Sequence, residues 1–163
     1  MPKDLPKDLP KDLPKDLPKD LPKNPPKKVL AIGIDPAFVD YAMLPQFSPD
    51  VFRSYIDTQL ECVRAAGFEV TSCLIDLGET AETVTMKALG SDRFDCVLIG
   101  AGLRQGGSDR LLLFEKILTI VHAQAPNAHI CFNTTPADSS QAVHAGSSPD
   151  AALARALING YVN

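Results

Sequence analysis

The sequence predicts an α/β domain built on a small parallel sheet and preceded by a repetitive tail. Apolar runs and amphipathic stretches alternate four times between residues 29 and 163, which is typical of strands and helices in a parallel α/β sandwich. The runs at residues 28–34 and 96–99 are continuously apolar. Such runs favour strands that are buried on both faces of a sheet.

The tail consists of a short proline-containing unit. PKDL occurs five times in tandem from Pro2 to Leu21, and PKNPPKK follows. A proline at every fourth residue removes hydrogen-bond donors that a helix or a sheet needs. We therefore predict a disordered, extended tail over residues 1–28 and a single α/β domain over residues 29–163.

Charge is distributed unevenly between these two parts. The tail contains eight Lys and five Asp, whereas the remaining 135 residues contain eight basic and fifteen acidic side chains. An acidic domain is a poor general binder of nucleic acid or of an anionic membrane, because both require a cationic surface. No apolar segment reaches the ~20 residues of a membrane span, and the N-terminus lacks a secretory apolar region. The sequence thus predicts a cytoplasmic protein without nucleic-acid or membrane partners.

The four cysteines are far apart and lie in apolar segments. They are Cys62, Cys73, Cys96 and Cys131, and none forms a CxxC pair. This spacing indicates reduced thiols that pack as small hydrophobic side chains.

The elements follow in a regular order along the chain. Ser48 is the predicted N-cap of the first helix, Pro49 its first residue, and Gly67 follows its end. The later predicted elements are a strand at 69–75, a helix at 81–89, a strand at 96–99, a helix at 109–125 and a strand at 128–132. A loop rich in Ser, Asp and Gly then leads to a last helix that begins at Ser148 and Pro149, with Leu153, Leu157 and Tyr161 on one face.

Handedness restricts how these elements connect. Right-handed crossovers favour the strand order 2-1-3-4. The first and last helices then cover one face of the sheet, and the second and third cover the other. The predicted architecture is therefore a three-layer sandwich with two helices on each face.

Ligands of such sheets bind beyond the carboxyl ends of the strands, where the strand order reverses. A glycine-rich loop from Gly100 to Ser108, here called the glycine loop, follows the third strand and leads into a helix. This is a typical anion-binding arrangement. The predicted ligand-binding residues are Asp35, Gly100, Gly102, Arg104, Gly106, Gly107, Ser108, Asn133 and Thr134. The spacing matches neither a dinucleotide fingerprint nor a P-loop, and the glycines have an alternative role in permitting a tight turn beside the neighbouring strand.

Acidic side chains at the same edge are candidate metal ligands. Asp35, Asp76 and Glu79 follow the first two strands, and carboxylates are the ligands that Mg²⁺ prefers. The alternative is that they are ordinary surface acids, and no other cofactor is predicted.

The order of elements resembles response-regulator receiver domains and, more broadly, flavodoxin-like or Rossmann-like domains. Asp35 after the first strand and Thr134 or Thr135 after the fourth carry this resemblance, which covers Lys28 to Asn163 at the level of the fold. The resemblance implies phosphotransfer, but Ile99-Gly100 stands where receivers have the phosphoacceptor aspartate. The receiver lysine also has no counterpart, so a degenerate interaction module is the version of this hypothesis that the sequence allows.

A second segment is similar to the middle of SGNH/GDSL hydrolases. DCVLIGAGL and HAQAPNAHICFNTTP, within Phe94 to Pro136, carry the resemblance, which implies a hydrolase with an oxyanion loop. The serine block expected after the first strand is replaced by Gly33-Ile34-Asp35, and the terminal DxxH is absent. The asparagine of the family's third block is missing from Gly100 to Leu103.

Our leading hypothesis is binding of a small, anionic molecule. The alternatives are a small hydrolase-like enzyme that uses Asp35, Arg104 and Asn133, and the degenerate receiver-like module.

The third predicted helix has more apolar surface than one sheet face requires. Leu111, Phe114, Leu118 and Val121 form one stripe, which we expect to face the sheet. Leu113, Ile117 and Ile120 form a second stripe roughly 100° away. Because a surplus apolar stripe is typical of an interface, we expect a homodimer through helix 109–125.

Deleting Met1 to Lys27 should leave the midpoint of thermal unfolding nearly unchanged, because the PKDL repeats offer little apolar area to bury. Calorimetry of the full and shortened chains checks this. A large loss of stability would show that the repeats dock on the domain.

Overall fold

A computed structural model describes residues 25–147. The PKDL repeats and the predicted last helix, with Leu153, Leu157 and Tyr161, lie outside the described residues. The strands are β1 (Lys28–Ile34), β2 (Glu69–Ile75), β3 (Cys96–Ile99) and β4 (His129–Phe132). The helices are α1 (Pro49–Ala65), α2 (Ala81–Ser91), α3 (Ser108–Gln124) and α4 (Ser139–Ser147). All four strands pair in parallel in the order β2-β1-β3-β4, which confirms the predicted flavodoxin-like, Rossmann-like α/β fold.

The pleat of the sheet divides the core into two layers. Alternate residues of each strand point to opposite faces, so Leu30 and Ile32 pack on the side of α2 and α3. Val29 and Ala31 pack on the side of α1 and α4. The two faces therefore carry two helices each, although the helix beside α1 is α4 and not the one predicted to begin at Ser148.

The start of α1 follows the predicted capping pattern. The hydroxyl oxygen of Ser48 accepts a hydrogen bond from the backbone N–H of Val51 at 3.3 Å, and Pro49 occupies the first turn. Beyond the helix, Gly67 has a φ of +99°, a conformation that glycine adopts without strain. These local signals fix both ends of the helix.

Helix α4 corrects the prediction of a loop after β4. A 3-10 turn at Pro136–Asp138 precedes it, and a capping box joins Thr135 and Asp138 at the start of that turn. Ala142 and Val143 are the buried apolar residues of the helix. The helix has only nine residues, and it lies in a segment rich in Ser, Asp and Gly, a composition that favours a loop. This composition explains why the sequence prediction missed it.

The assignment of apolar stripes on α3 was also wrong. Leu113, Ile117 and Val121 are the residues buried against the sheet, whereas Leu111 is 54% exposed. Phe114 is half-buried and contacts the ring of Phe132 at a centroid distance of 6.0 Å.

Helix α3 packs beside α2, and its Phe114 contacts Phe132 of the edge strand β4. These two neighbours determine which side of the helix faces the sheet, and they leave Leu111 and Leu112 exposed. The homodimer stays a prediction.

Lys27 belongs to the folded part of the chain. Its carbonyl accepts a hydrogen bond from Glu69 N–H at 3.0 Å, and its Nζ donates to the Ser147 carbonyl at 2.7 Å. The tail deletion is therefore best placed before Pro25. Within the part of the chain that the structure describes, no helix has the length and apolar character to cross a membrane.

Ile117→Ala should lower the free energy of unfolding by about 2–5 kcal/mol, because it leaves a cavity between α3 and the sheet. Leu112→Ala is the control on the same helix: Leu112 is 57% exposed, so its truncation should change stability by no more than about 0.5 kcal/mol. Urea denaturation measures both. A larger effect for Leu112 would contradict this orientation of α3.

Candidate functional site

A cavity of about 790 Å³ lies near the carboxyl edge of the sheet. Its floor is formed by β1, β2 and β3, and one wall is formed by α1. The lining side chains from these elements are mostly apolar, including Ala31, Leu74, Leu98, Ile56 and Leu60. The cavity thus lies on the α1 face, next to the crevice between β1 and β3 where the strand order reverses.

Aromatic residues form the outer part of the α1 wall. The ring of Phe47, in the loop before α1, stacks on Tyr55 at 5.7 Å and meets Phe52 edge-on at 5.2 Å. Tyr41 meets Phe52 edge-on at 6.3 Å, and its hydroxyl donates to the Pro36 carbonyl at 2.7 Å. Burial raises the pKa of Tyr41 above its ordinary value. This interlocked cluster gives the cavity a rigid apolar side.

The first glycine of the loop after β3 allows the loop to pass directly over β1. Gly100 N–H donates to the Ile32 carbonyl at 2.8 Å, and a Cβ at Gly100 would lie 3.2 Å from that oxygen. Gly100 therefore has the alternative role considered for the glycines, which is to permit a tight turn beside the neighbouring strand. Gly100 and Gly102 also line the cavity.

Arg110 is a cavity residue that the sequence reasoning missed. Gly106 has a φ of +158°, and a Cβ there would lie 2.9 Å from the Cβ of Arg110. The glycine thus leaves room for the Arg110 side chain, whose Nη1 donates to the Gly102 carbonyl at 2.7 Å. A basic residue in the first turn of a helix opposes the helix dipole, and this local conflict was the available signal.

Arg104 has a different position from the one expected for a ligand-binding side chain. Its Nη2 donates a hydrogen bond to the backbone carbonyl of Asn133. Its guanidinium carbon lies 5.1 Å from the centre of the Phe132 ring. Arg104 is not among the lining residues, and neither are Gly107 and Ser108. These contacts stabilise the junction between the glycine loop and β4.

Asn133, which follows β4, is hydrogen-bonded to both the glycine loop and the start of α4. Its Oδ1 accepts from Ala101 N–H at 2.8 Å, and its Nδ2 donates to the Ser139 hydroxyl at 3.0 Å. The side chain is buried, so both polar groups need these partners. The amide therefore ties the glycine loop to the start of α4, and Asn133 and Thr134 both line the cavity.

The acidic candidates have structural partners. Asp35 accepts from Ala37 N–H at 2.9 Å and forms an ion pair with Arg53 at 2.8 Å. Asp76 accepts from the hydroxyl of Thr80 at 2.8 Å and from Gly78 N–H at 3.0 Å.

Two hydrogen bonds hold the pKa of Asp76 below its ordinary value. The bond from Gly78 N–H has the larger effect, and the bond from the Thr80 hydroxyl has the next largest. Glu79 lies in the same turn. Over residues 25–147, no three His, Cys, Asp or Glu side chains are grouped so that they could hold a metal ion.

Between residues 25 and 147, no hydrogen bond joins a His side chain to a Ser or Thr hydroxyl. The ring of His144 packs edge-on against Phe68 at 5.2 Å. The hydrolase-like and receiver-like hypotheses stay predictions.

Asn133→Ala should lower the free energy of unfolding by about 1–3 kcal/mol, because it leaves the buried N–H of Ala101 without its acceptor and removes one of the two hydrogen bonds of the Ser139 hydroxyl. Asn127→Ala is the control, since Asn127 lies in an exposed turn and its loss should change stability by at most about 0.5 kcal/mol. Equal effects in urea denaturation would contradict the bridging role of Asn133.

Asp76 should make stability depend on pH on the acid side. Because its folded-state pKa is depressed, its contribution is present above the unfolded-state pKa of about 3.9 and is lost as pH falls through the folded-state value. Asp76→Asn should therefore weaken the fall in thermal midpoint below about pH 4. Calorimetry from neutral to acidic pH checks this, and identical acid-side slopes for the two proteins would refute it.

In comparisons with protein-family models, curated proteins and solved structures, no match to this chain was found. The assignment of a function therefore rests on the geometry and chemistry of the cavity itself.

Proposed function

We propose that this protein binds a small amphipathic molecule that has an apolar body and an anionic group. The observation that carries the proposal is the cavity of about 790 Å³, since ligand sites are typically concave, mostly apolar and about 300–1,000 Å³ in volume. The apolar body would lie between the aromatic cluster and the floor of the sheet. The anionic group would lie at the glycine loop.

The shape and composition of the wall support the apolar part of the ligand. Phe47, Phe52 and Tyr55 are held by contacts with one another, so little side-chain freedom remains to be lost when a ligand binds. The sheet side of the cavity includes Ala31 and Gly33, whose small size creates the space. A branched or aromatic body fits such a surface better than a strongly hydrated one.

The charged groups support an anion at the other end. Within the described part of the chain, two charged residues line the cavity. Arg110 lies on the side of the glycine loop, and Asp40 lies in the loop before α1. A guanidinium has five N–H donors, and Arg110 uses one of its two Nη groups for the Gly102 carbonyl. Further donors are therefore available for a carboxylate, sulfonate or phosphate.

The test uses three eight-carbon probes that differ in charge: octanoate, octanol and octylammonium. Isothermal titration calorimetry with the full chain should give the order octanoate, octanol, octylammonium from tightest to weakest. A fluorescent aromatic sulfonate, 8-anilinonaphthalene-1-sulfonate, reports occupancy of the same cavity by competition. Octylammonium binding as tightly as octanoate would contradict an anion site.

Two variants separate the apolar and anionic parts of the site. Gly33→Val adds volume at the floor, where a Cβ meets nothing nearer than the Leu74 side chain at 3.9 Å, and it should weaken all three probes by about tenfold or more. Arg110→Gln should weaken octanoate and leave octanol unchanged.

Arg104→Gln is the matched control, since Arg104 does not line the cavity and its loss should leave the order of the three probes unchanged. The proposal is wrong if Gly33→Val folds normally and binds all probes as the unmodified protein does.

A further inference from the structure

Two cysteines meet inside the domain on the face covered by α4. Cys96 lies on β3 and Cys131 on β4, and both side chains are completely buried. Their Sγ atoms are 3.0 Å apart. Neither residue lines the cavity, so this pair is separate from the proposed ligand site.

We propose that Cys96 and Cys131 form a redox-active pair that closes an intramolecular disulfide. The two strands are hydrogen-bonded neighbours, with Cys96 opposite His129 and Cys131 opposite Leu98. The sulfur atoms need to approach by about 1 Å to reach the ~2.05 Å of a disulfide bond. Because Cys131 is offset by two residues from the position opposite Cys96, closing the bond also requires a local shift of the strand backbone.

Simple apolar packing does not account for this contact. Non-bonded heavy atoms of packed side chains usually lie about 3.5–4.0 Å apart, and the two sulfur atoms are closer than that. The Cys131 thiol also lies 3.7 Å from the Val97 carbonyl. Cys96 and Cys131 pack in the apolar core, as the sequence predicted, and the short contact between their sulfur atoms is an additional feature of this pair.

The other two cysteines provide a contrast within the same chain. Cys73 packs on the opposite face of the sheet, with α2 and α3, and burial raises the pKa of its thiol to about 11. Cys62 is exposed on α1. Neither one packs with the Cys96–Cys131 contact, so the geometry assigns the disulfide to a single pair.

The reaction needs a two-electron oxidant, for which we name a hydroperoxide. One cysteine, as its thiolate, attacks the peroxide oxygen and becomes a sulfenic acid while an alcohol or water leaves. The second thiol attacks that sulfur and displaces water, which closes the S–S bond. In total, two thiols lose two hydrogens and one peroxide is reduced.

Access to the pair depends on α4. The backbone of Gly146 lies on Cys131, so closely that a Cβ at this glycine would be 3.0 Å from the Cys131 Cβ. The helix has nine residues, of which Ser139, Ala142 and Val143 are buried. The start of α4 is held by Asn133, whereas its last turn, which contains Gly146, has no buried apolar side chain. Because such a turn opens at a small free-energy cost, we expect opening of the last turn of α4 to admit the peroxide.

The experiment treats the full chain with hydrogen peroxide, blocks remaining thiols with iodoacetamide after denaturation and maps non-reduced peptides by mass spectrometry. The expected product is a peptide pair joined through Cys96 and Cys131, which dithiothreitol separates. Cross-linking the two strands restricts the unfolded chain, so the thermal midpoint should rise by several degrees and return on reduction.

Three variants serve as controls for the assignment. Cys62→Ser should leave the linked peptides and the thermal shift unchanged, whereas Cys96→Ser and Cys131→Ser should each abolish both. The mapping of the unmodified sequence decides the matter even if a core variant folds poorly. Recovery of Cys96 and Cys131 as separately alkylated peptides, under conditions that oxidise Cys62, would overturn the proposal.

Discussion

The buried side chain of Asn133 connects the parts of the molecule that meet at the carboxyl edge of the sheet. Its side-chain oxygen accepts a hydrogen bond from Ala101 N–H, and its side-chain nitrogen donates one to the Ser139 hydroxyl. These hydrogen bonds are shielded from water, so breaking either one leaves a buried polar group without a partner. The glycine loop and the start of α4 therefore keep a fixed relation to each other, and the cavity between them keeps its shape.

The glycine loop shows how a steric requirement and a binding geometry coincide. Gly100 passes over β1 at a distance that a larger residue would obstruct, and Gly106 makes room for Arg110. The loop thus leaves room for the Arg110 guanidinium of α3 at the cavity, where the loop also contributes the side chain of Gln105. Arg104 leaves the cavity side and instead fastens the loop to β4.

The two faces of the sheet are packed differently, and this difference places both proposed sites. Long apolar side chains from α2 and α3 fill one face, including Leu89, Leu113 and Ile117. The other face is covered by α1 and by α4, which contributes mainly small residues. Small residues at its floor leave a cavity beside α1, and the close approach of Gly146 leaves the two sulfur atoms in contact under α4.

The sequence by itself determined the strands, their order and the first helix. Continuous apolar runs locate β1 and β3, the Ser48 cap locates the start of α1, and right-handed crossovers leave the order 2-1-3-4 as the favoured one. These features depend on local chemistry and chain connectivity, which the sequence contains. They also locate the carboxyl edge where Gly100, Gly102, Gly106, Asn133 and Thr134 line the cavity.

Only the tertiary structure decided which side chains face that cavity and which neighbours the helices meet. Helix α4 packs Ala142 and Val143 against the sheet, in a segment whose Ser, Asp and Gly content favours a loop. The buried stripe of α3 depends on how the helix is rotated between α2 and β4. The roles of the two arginines differ because Arg110 donates a hydrogen bond to the Gly102 carbonyl in the glycine loop, whereas Arg104 packs on the Phe132 ring. These outcomes come from contacts between residues distant in sequence, which local periodicity does not encode.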